Sequence, residues 1–424
     1  MAGYRLTLPT IQNWNCHSCA GCCRQHAIEV TAEERERIAG QNWTAADGVD
    51  PSRPLWVASG PPWARTWRLA HQQDGGCVFL NEDGLCRIHA KFGEAAKPLA
   101  CRIYPYAFHP AGKEVRVSLR YSCPSVVENR GDAVDEQPGE LKRTARLVVP
   151  DDVSHIPPPP VAGRQRVDWP DFLRLVDALE DTLAGPEGTI IHRLLQACFW
   201  LKLAGGAKYD DIRGDRIDEL AELLQQEAEY QFPADSPLAD IAAPSRTGRI
   251  QFRLLVARHA RKDTAAEASP GWRQKWSLLR AALKFSAGRG TMPVLQPGLE
   301  PVQFEQLEPA FGGLPPGAED LFTRYFRIKV QGLHFCGAAF YNMPLVEGFY
   351  SLATMLPIVL YLARWLAAGE QRNQLTLPDV RRALAMADHH FGYLPDFGQR
   401  GMRRAVRLFA ASDDLTRLIA WYSR

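Results

Sequence analysis

The sequence lacks several features that would assign it to a common protein class. Its charges nearly cancel, because 50 Lys and Arg residues face 48 Asp and Glu residues and the formal net charge is +2. Without a strong basic field, neither nucleic acid nor an anionic membrane surface is expected as a partner. The 424 residues are 46% hydrophobic and 23% charged. This ordinary composition excludes disorder, collagen and coiled coil as the main class, and the length predicts about two or three domains.

Motifs for common chemistries are also missing. The sequence contains no P-loop, no G-x-S-x-G, no H-E-x-x-H and no EF-hand loop. No G-x-G-x-G follows a predicted strand, so a Rossmann-type cofactor site is not indicated. No tandem repeat of fixed period is present.

Long apolar segments are scarce. The N-terminus has no basic segment followed by an apolar run, so no secretory signal is predicted and a cytoplasmic location is expected. In the cytoplasm thiols stay reduced, and clustered cysteines indicate metal binding or redox work rather than disulfides. The most apolar run, residues 348–363, is shorter than the roughly 18 to 20 residues of a membrane span, and it contains Pro357. We expect a buried core helix there and no membrane span.

The cysteines are few but unevenly placed. Of the ten, eight lie between Cys16 and Cys123. The segment CHSCAGCC, residues 16–23, holds two C-x-x-C steps and one further cysteine. This is the spacing of bacterial iron–sulfur motifs, and it also contains the C-x2-C knuckle of zinc sites. Adjacent Cys22 and Cys23 are expected to point in different directions, which favours two metal centres or one idle thiol.

A second group of cysteines follows, and it consists of Cys77, Cys86, Cys101 and Cys123. We predict that both groups supply metal ligands: Cys16, Cys19, Cys22, Cys23, Cys77, Cys86, Cys101 and Cys123. Two four-cysteine clusters fit the count, as do one cluster with structural thiols or one or two tetrahedral zinc ions. Reduced thiols without metal remain an alternative. A histidine could replace one thiolate, the candidates being His17, His26, His71, His89 and His109. The two remaining cysteines, Cys198 and Cys336, are expected to be small buried hydrophobes.

Around these cysteines the sequence resembles the CxxCxxCC cysteine-cluster family. That family is described as zinc- or iron-chelating and includes the flagellin lysine N-methylases. The resemblance rests on CHSCAGCC, GGCVFL, GLCRIH, KPLACRIYP and SLRYSCP. The sequence departs from the family pattern at His89, which stands at the usual Tyr position, and at Lys97, which stands for Arg before Pro98.

The resemblance implies a bound iron–sulfur cluster, with one or two 4Fe–4S clusters as the expected form and zinc as the alternative. It further implies S-adenosylmethionine-dependent methylation of a protein or peptide side chain, as a protein-lysine N-methyltransferase would perform. The radical-SAM spacing C-x3-C-x2-C is absent. Other open functions are a non-catalytic zinc module that binds partners and an electron-transfer or metal-handling protein.

Three zones are predicted along the chain, in a mainly α (α+β) fold. Residues 1–130 form a cysteine module, an irregular Cys-rich metal-binding module with a helix at 31–40 and a strand at 114–121. Residues 131–170 form a Pro-rich connector. Residues 171–424 form a mainly helical domain. Periodicity predicts its helices at 170–179, 189–203, 216–230, 271–286, 319–331, 344–367, 377–390 and 400–422.

Overall fold

The computed structural model is mainly helical with two small sheets, which confirms the predicted α+β class. It describes residues 3–60, 62–153, 155–261, 272–393 and 412–424, together with positions 401, 406, 407 and 409.

Short elements make up the cysteine module. Its strands are β1 (Arg5–Thr7), β2 (Glu29–Val30), β3 (Trp56–Ser59), β4 (Thr66–Leu69), β5 (Tyr106–Ala111) and β6 (Glu114–Leu119). Its helices are α1 (Gly21–Gln25), α2 (Ala32–Ala39), α3 (Arg87–Phe92), α4 (Leu99–Ile103) and α5 (Pro124–Val127). Elements this short bury little apolar surface by themselves, so loop contacts must supply much of their order.

The strands form two three-stranded sheets. In the first, β6 lies between β1, which is parallel to it, and β5, which is antiparallel. In the second, β4 lies between β2 and β3, both antiparallel to it. The first sheet packs into the large core that it shares with the helices, whereas the second encloses a separate small core around Ile38, Phe79 and Ile88.

Longer helices dominate the rest of the chain. They are α6 (Pro138–Ala145), α7 (Trp169–Ala184), α8 (Ile190–Ala204), α9 (Asp215–Gln231), α10 (Arg246–His259), α11 (Trp272–Ala287), α12 (Ala318–Gln331), α13 (Leu345–Ala353), α14 (Met355–Gly369), α15 (Leu377–Asp388) and α16 (Asp414–Tyr422). Helix α10 had no counterpart in the periodicity prediction. For the predicted helix at 400–422, the first half lies largely outside the described residues, and the second half is α16.

Several helix starts were readable from the sequence. Thr31 and Glu34 form the predicted capping box of α2, in which the Thr31 amide donates to Glu34 Oε2 at 2.9 Å and the Glu34 amide donates to Thr31 Oγ1 at 3.2 Å. Asp168 caps α7 by accepting from the Asp171 amide at 3.1 Å. Such caps satisfy amides that have no partner inside the helix.

The apolar segment near residue 350 lies in the core. The helix predicted at 344–367 is present as the stretch Leu345–Gly369, within which Thr354, itself in a helical conformation, separates α13 from α14. Together these helices make one stretch, Leu345–Gly369, that is long and apolar enough to cross a membrane, and 94% of its most apolar window is buried inside the protein. Helix α14 packs against α10, α13, α15 and α16, as expected for a core helix.

One buried arginine ties this core helix to two distant segments. Arg364 is fully buried in α14. Its Nη1 donates to the carbonyl oxygens of Leu307 and Pro309 at 2.9 and 2.8 Å. Its Nη2 donates to those of Tyr422 and Arg424 at 3.0 and 2.9 Å. The planar guanidinium can serve four acceptors at once because its N–H groups are fixed in a fork.

Candidate metal centre

The first cysteine segment is a strained loop that leads into a short helix. Ser18 and Ala20 have positive φ angles of 52° and 57°, and a left-handed conformation costs a non-glycine residue about 1–2 kcal/mol. Cys16 and Cys19 are exposed in this loop, and α1, which contains Cys22 and Cys23, begins directly after Ala20. Strain of this kind persists only where surrounding contacts hold it.

The loop from residue 72 to 77 docks on this helix. The Cys77 amide donates to the Cys23 carbonyl at 2.8 Å, which joins the two cysteine segments through their main chains. Arg24 pairs with Asp74 at 2.8 Å. Gln72 Nε2 donates to the Cys77 carbonyl at 2.8 Å. These contacts fix the Cys77 main chain beside α1.

Gly84 supports the strained loop from the other side. A Cβ atom at Gly84 would lie 2.7 Å from the Ser18 carbonyl oxygen, and Gly84 itself has a φ of +79°. Only glycine combines this conformation with so close an approach of two main chains. The CHSCAGCC loop and the segment between Cys77 and Cys86 are therefore in contact.

Helix ends place the remaining cysteines. Cys86 and Cys123 occupy the N-cap positions of α3 and α5, and Cys101 lies within α4. Glu34 Oε1 accepts from the Leu99 amide at 2.6 Å, so the capping carboxylate of α2 also anchors the start of α4. Neither the predicted strand at 114–121 nor the capping box of α2 contains a cysteine.

Four thiols form an inner group: Cys22, Cys77, Cys86 and Cys101. Burial, together with the nearby thiols of Cys86 and Cys22, raises the pKa of Cys77 to about 12. Burial raises the pKa of Cys101 strongly, and Cys77, Cys22 and Cys86 add to the effect. Mutual repulsion of thiolates requires that these side chains lie near one another. A cation among them would reverse the effect, because coordination favours the thiolate.

Cys22 and Cys23 point toward the same region, so the expectation that they diverge is wrong. Their sulfur atoms lie 4.0 Å apart. Two thiolates on one tetrahedral zinc ion, each at roughly 2.3 Å from the metal, are separated by about 3.8 Å. The hydrogen bond between the two thiols is the main cause that raises the pKa of Cys22. The short helix α1 allows this because both residues lie in its first turn.

Cys19 and Cys123 form an outer pair. A Cβ atom at Gly21 would lie 3.2 Å from Pro124 Cδ and 3.5 Å from the Cys19 sulfur, which places Cys19 beside the residue that follows Cys123. Burial raises the pKa of Cys123 to about 11, and the Trp14 indole opposes the rise. Trp14 Nε1 is buried without a conventional hydrogen bond in the described part of the chain. An N–H group directed at sulfur stabilises a metal-bound thiolate.

The donor set fits a thiophilic metal, but the side chains do not form a finished ligand cage. Four segments supply the eight thiols, a donor type that suits zinc or iron. Among the residues that the structure describes, no three Cys, His, Asp or Glu side chains are close enough together to hold an ion. A metal bound by three or more of these thiols would have to draw them together, as happens where binding couples to folding.

The charge of Lys97 acts on the inner thiols. It opposes the rise in pKa at both Cys22 and Cys101. Of the arginines near the cysteines in sequence, Arg24 is paired with Asp74 and Arg120 lies over the Tyr393 ring at 3.6 Å. Lys97 thus supplies positive charge near the inner thiols.

The buried histidines contact other rings. His26 lies 4.8 Å from the Tyr104 ring and 4.7 Å from the His389 ring. His109 lies on β5 and contacts the His334 ring at 4.9 Å. Burial lowers the pKa of both His26 and His109, so their neutral forms are favoured in these positions.

A cleft of about 560 Å³ opens next to the cysteines. Arg24 and Gln25, which directly follow Cys23, line it on one side, and Pro124, which directly follows Cys123, lines it nearby. Its other lining residues are Val127, Glu128, Arg261, Gln296, Pro297, Pro378, Arg381, Arg382, Ala385, Met386, His389 and His390. No sequence pattern indicates this cleft, because its walls come from segments that are far apart in the chain.

Comparison with known proteins matches the same region. Residues 15–124 match the family model CxxCxxCC, described as a "putative zinc- or iron-chelating domain". Over 52 residues, the chain is 42% identical to "Flagellar biosynthetic protein FliU" of Salmonella muenchen, covering 12% of this chain and 31% of that protein. It is also 42% identical over 52 residues to "Lysine-N-methylase" of Salmonella typhimurium, covering 12% and 13% of the two chains.

These matches cover a small part of each relative. The chain spans less than a third of the length of the curated relatives it matches. No solved structure matches the chain. The resemblance predicted from the cysteines is nevertheless confirmed: residues 15–124 match the CxxCxxCC family of zinc- or iron-chelating domains.

Proposed function

We propose that this chain is a cytoplasmic iron–sulfur protein that methylates a lysine side chain of a protein or peptide with S-adenosylmethionine. The observation that carries the proposal is the position of the cleft, whose lining residues directly follow Cys23 and Cys123. A ligand in this cleft would therefore contact residues that are adjacent in sequence to two of the predicted metal ligands. The partial similarity to proteins named lysine-N-methylase supports the choice of reaction.

The eight thiols would hold the cluster, with the inner group as its principal ligands and Cys123 near the cleft. An iron–sulfur cluster would supply an electron-transfer or Lewis-acid centre. Side chains of the protein would balance the charge of the cluster and line the cleft. Lys97 offsets negative charge at the inner thiols, and residues of α15 line the cleft.

The test is methyl transfer by anaerobically purified protein. Protein with reconstituted iron and sulfide is incubated with methyl-labelled S-adenosylmethionine and candidate protein substrates, and the label is followed on lysine by mass spectrometry. The parent protein is compared with the Cys101→Ser variant, which removes one inner thiol and leaves the cleft residues in place. Label on lysine with the parent protein and none with the variant supports the proposal. Absence of both cofactor binding and label transfer contradicts it.

A second candidate is a non-catalytic zinc module that binds a partner. The observation that favours it is the inner group, because four thiols are the ligand set of a structural tetrahedral zinc site and electrostatic contacts link these four. This candidate predicts a colourless protein with one or two zinc ions per chain and no group transfer.

A further inference from the structure

The cleft beside the cysteines carries an excess of positive charge. Four arginines line it, namely Arg24, Arg261, Arg381 and Arg382, and Glu128 is the single carboxylate among the described lining residues. A concentration of like charge around a concave site raises the local potential, because the low-dielectric walls focus the field. The chain as a whole is nearly neutral, so the excess belongs to the cleft.

Two of these arginines have neither an ion pair nor a side-chain hydrogen bond among the described residues. Arg24 pairs with Asp74 at 2.8 Å, and Arg382 donates to the Gly298 carbonyl at 3.1 Å. Arg261 and Arg381, by contrast, form no ion pair with any residue in the described ranges. Their charges are therefore available to a ligand. A guanidinium binds carboxylate or phosphate through two parallel hydrogen bonds.

One face of α15 presents this charge. Pro378, Arg381, Ala385 and His389 are spaced three and four residues apart and all line the cleft. Residues at this spacing lie on the same side of an α-helix. A regular helix that is packed against α14 holds its side chains on a rigid support, so the arginines are positioned before a ligand arrives.

Two glutamine atoms in the cleft also lack partners. Gln296 Nε2 and Gln25 Oε1 are buried and make no hydrogen bond within the part of the chain that the structure describes. Both residues line the cleft. A buried polar atom without a partner costs about 1–3 kcal/mol, and a polar ligand would supply the missing bonds. The glutamines therefore point to a ligand that accepts and donates hydrogen bonds.

We propose that the cleft binds a small molecule that carries carboxylate or phosphate groups, recognised chiefly by Arg261 and Arg381. The volume of about 560 Å³ lies within the roughly 300–1,000 Å³ typical of small-molecule sites. This inference goes beyond the proposed function, because anion binding requires no methyl transfer. Loss of methyl transfer with anion binding intact would count against the proposed function and leave this inference standing.

The experiment is calorimetric titration of the full chain, purified with its metal, in low salt. Citrate and pyrophosphate are the probes for carboxylate and phosphate, and an acidic peptide is titrated in parallel. Arg381→Gln and Arg261→Gln are each expected to weaken binding of the preferred probe by about tenfold or more, since each removes a charge-assisted contact. The matched control Arg143→Gln changes an exposed arginine on α6 that does not line the cleft.

Binding of either small anion that falls in both cleft variants, persists in the control and weakens with added salt supports the proposal. The anion that binds tighter identifies the ligand class. Equal binding by all three variants and the parent overturns the proposal, as does binding of the acidic peptide alone. Unchanged circular dichroism and thermal midpoint show that the variants are folded.

Discussion

A buried ion pair joins the cysteine module to the helical region. Lys329 of α12 and Asp388 of α15 are fully buried, with Nζ and Oδ1 2.8 Å apart. Lys329 also donates to the Leu119 carbonyl at 3.3 Å, and Asp388 Oδ2 accepts from the Ser122 amide at 3.1 Å. The Tyr325 hydroxyl donates to Asp388 Oδ1 at 3.3 Å. The pair therefore holds the segment that leads to the outer cysteine at 123 against two helices.

Asp388→Asn is expected to destabilise the protein by about 3–5 kcal/mol, the usual cost of removing one partner of a buried pair. Lys329→Met should cost a similar amount, because it leaves the carboxylate without its cation. The double variant should cost clearly less than the sum of the two, with a coupling energy of about 2 kcal/mol or more. Urea unfolding of the four proteins measures these values.

The pH dependence gives an independent check. Burial lowers the pKa of Lys329 below 10.5, and Asp388 opposes that shift. In Asp388→Asn the pKa falls further. Between the folded-state pKa and 10.5 the unfolded chain binds more protons than the folded chain, so stability rises with pH. The deficit of Asp388→Asn relative to the parent should therefore be smaller at about pH 9.5 than at about pH 7.

An exposed pair provides the control. Arg174 and Asp215 lie 3.2 Å apart, with the Asp215 side chain 92% exposed, and Asp215→Asn should cost less than about 1 kcal/mol. Additive effects at Lys329 and Asp388, or a loss no larger than that of Asp215→Asn, would refute the reasoning.

Three further variants test the site and the core. Gly84→Ala should lower the amount of bound metal per chain, because its Cβ would lie 2.7 Å from a carbonyl oxygen of the first cysteine loop. The control Gly93→Ala, with a similar φ of +81° and no atom within 4 Å of the added Cβ, should keep the parent's metal content. Equal metal contents in the two variants would count against the contact between Gly84 and the loop. Cys101→Ser should reduce the metal content, whereas Cys198→Ser, in buried α8, should leave it unchanged. Elemental analysis of the two variants measures the difference, and equal metal contents would contradict a ligand role for Cys101. Arg364→Lys should lower the free energy of unfolding by about 1–3 kcal/mol per carbonyl left unpaired, and an unchanged urea midpoint would contradict the role of the guanidinium fork.

The sequence predicted the parts of this structure that depend on local patterns. The capping box at Thr31 and Glu34 and the caps and periodicity of α7 were readable because neighbouring residues determine them. The helix at 344–367 was predicted in one piece, since Thr354 carries no breaking signal. Helix α10 was missed although Phe252, Leu255 and Val256 have helical spacing, because four arginines make the segment polar on average.

In the candidate site, too, only the features that depend on local sequence could be predicted. Cysteine spacing identified the thiols, because ligand spacing within a loop is a local property. It could not show that Cys22 and Cys23 point to one region, since the turn of α1 decides that. Nor could it find Arg261 or Arg381, which line the same cleft as Arg24 and Gln25 only through tertiary packing.

The central claim is that the clustered thiols hold an iron–sulfur centre. The most direct test is iron, zinc and acid-labile sulfide analysis of anaerobically purified protein, together with its visible spectrum. The account predicts a brown protein with iron and sulfide in equal amounts, lost when inner cysteines are replaced. A colourless protein that contains stoichiometric zinc, or no metal at all, would contradict it.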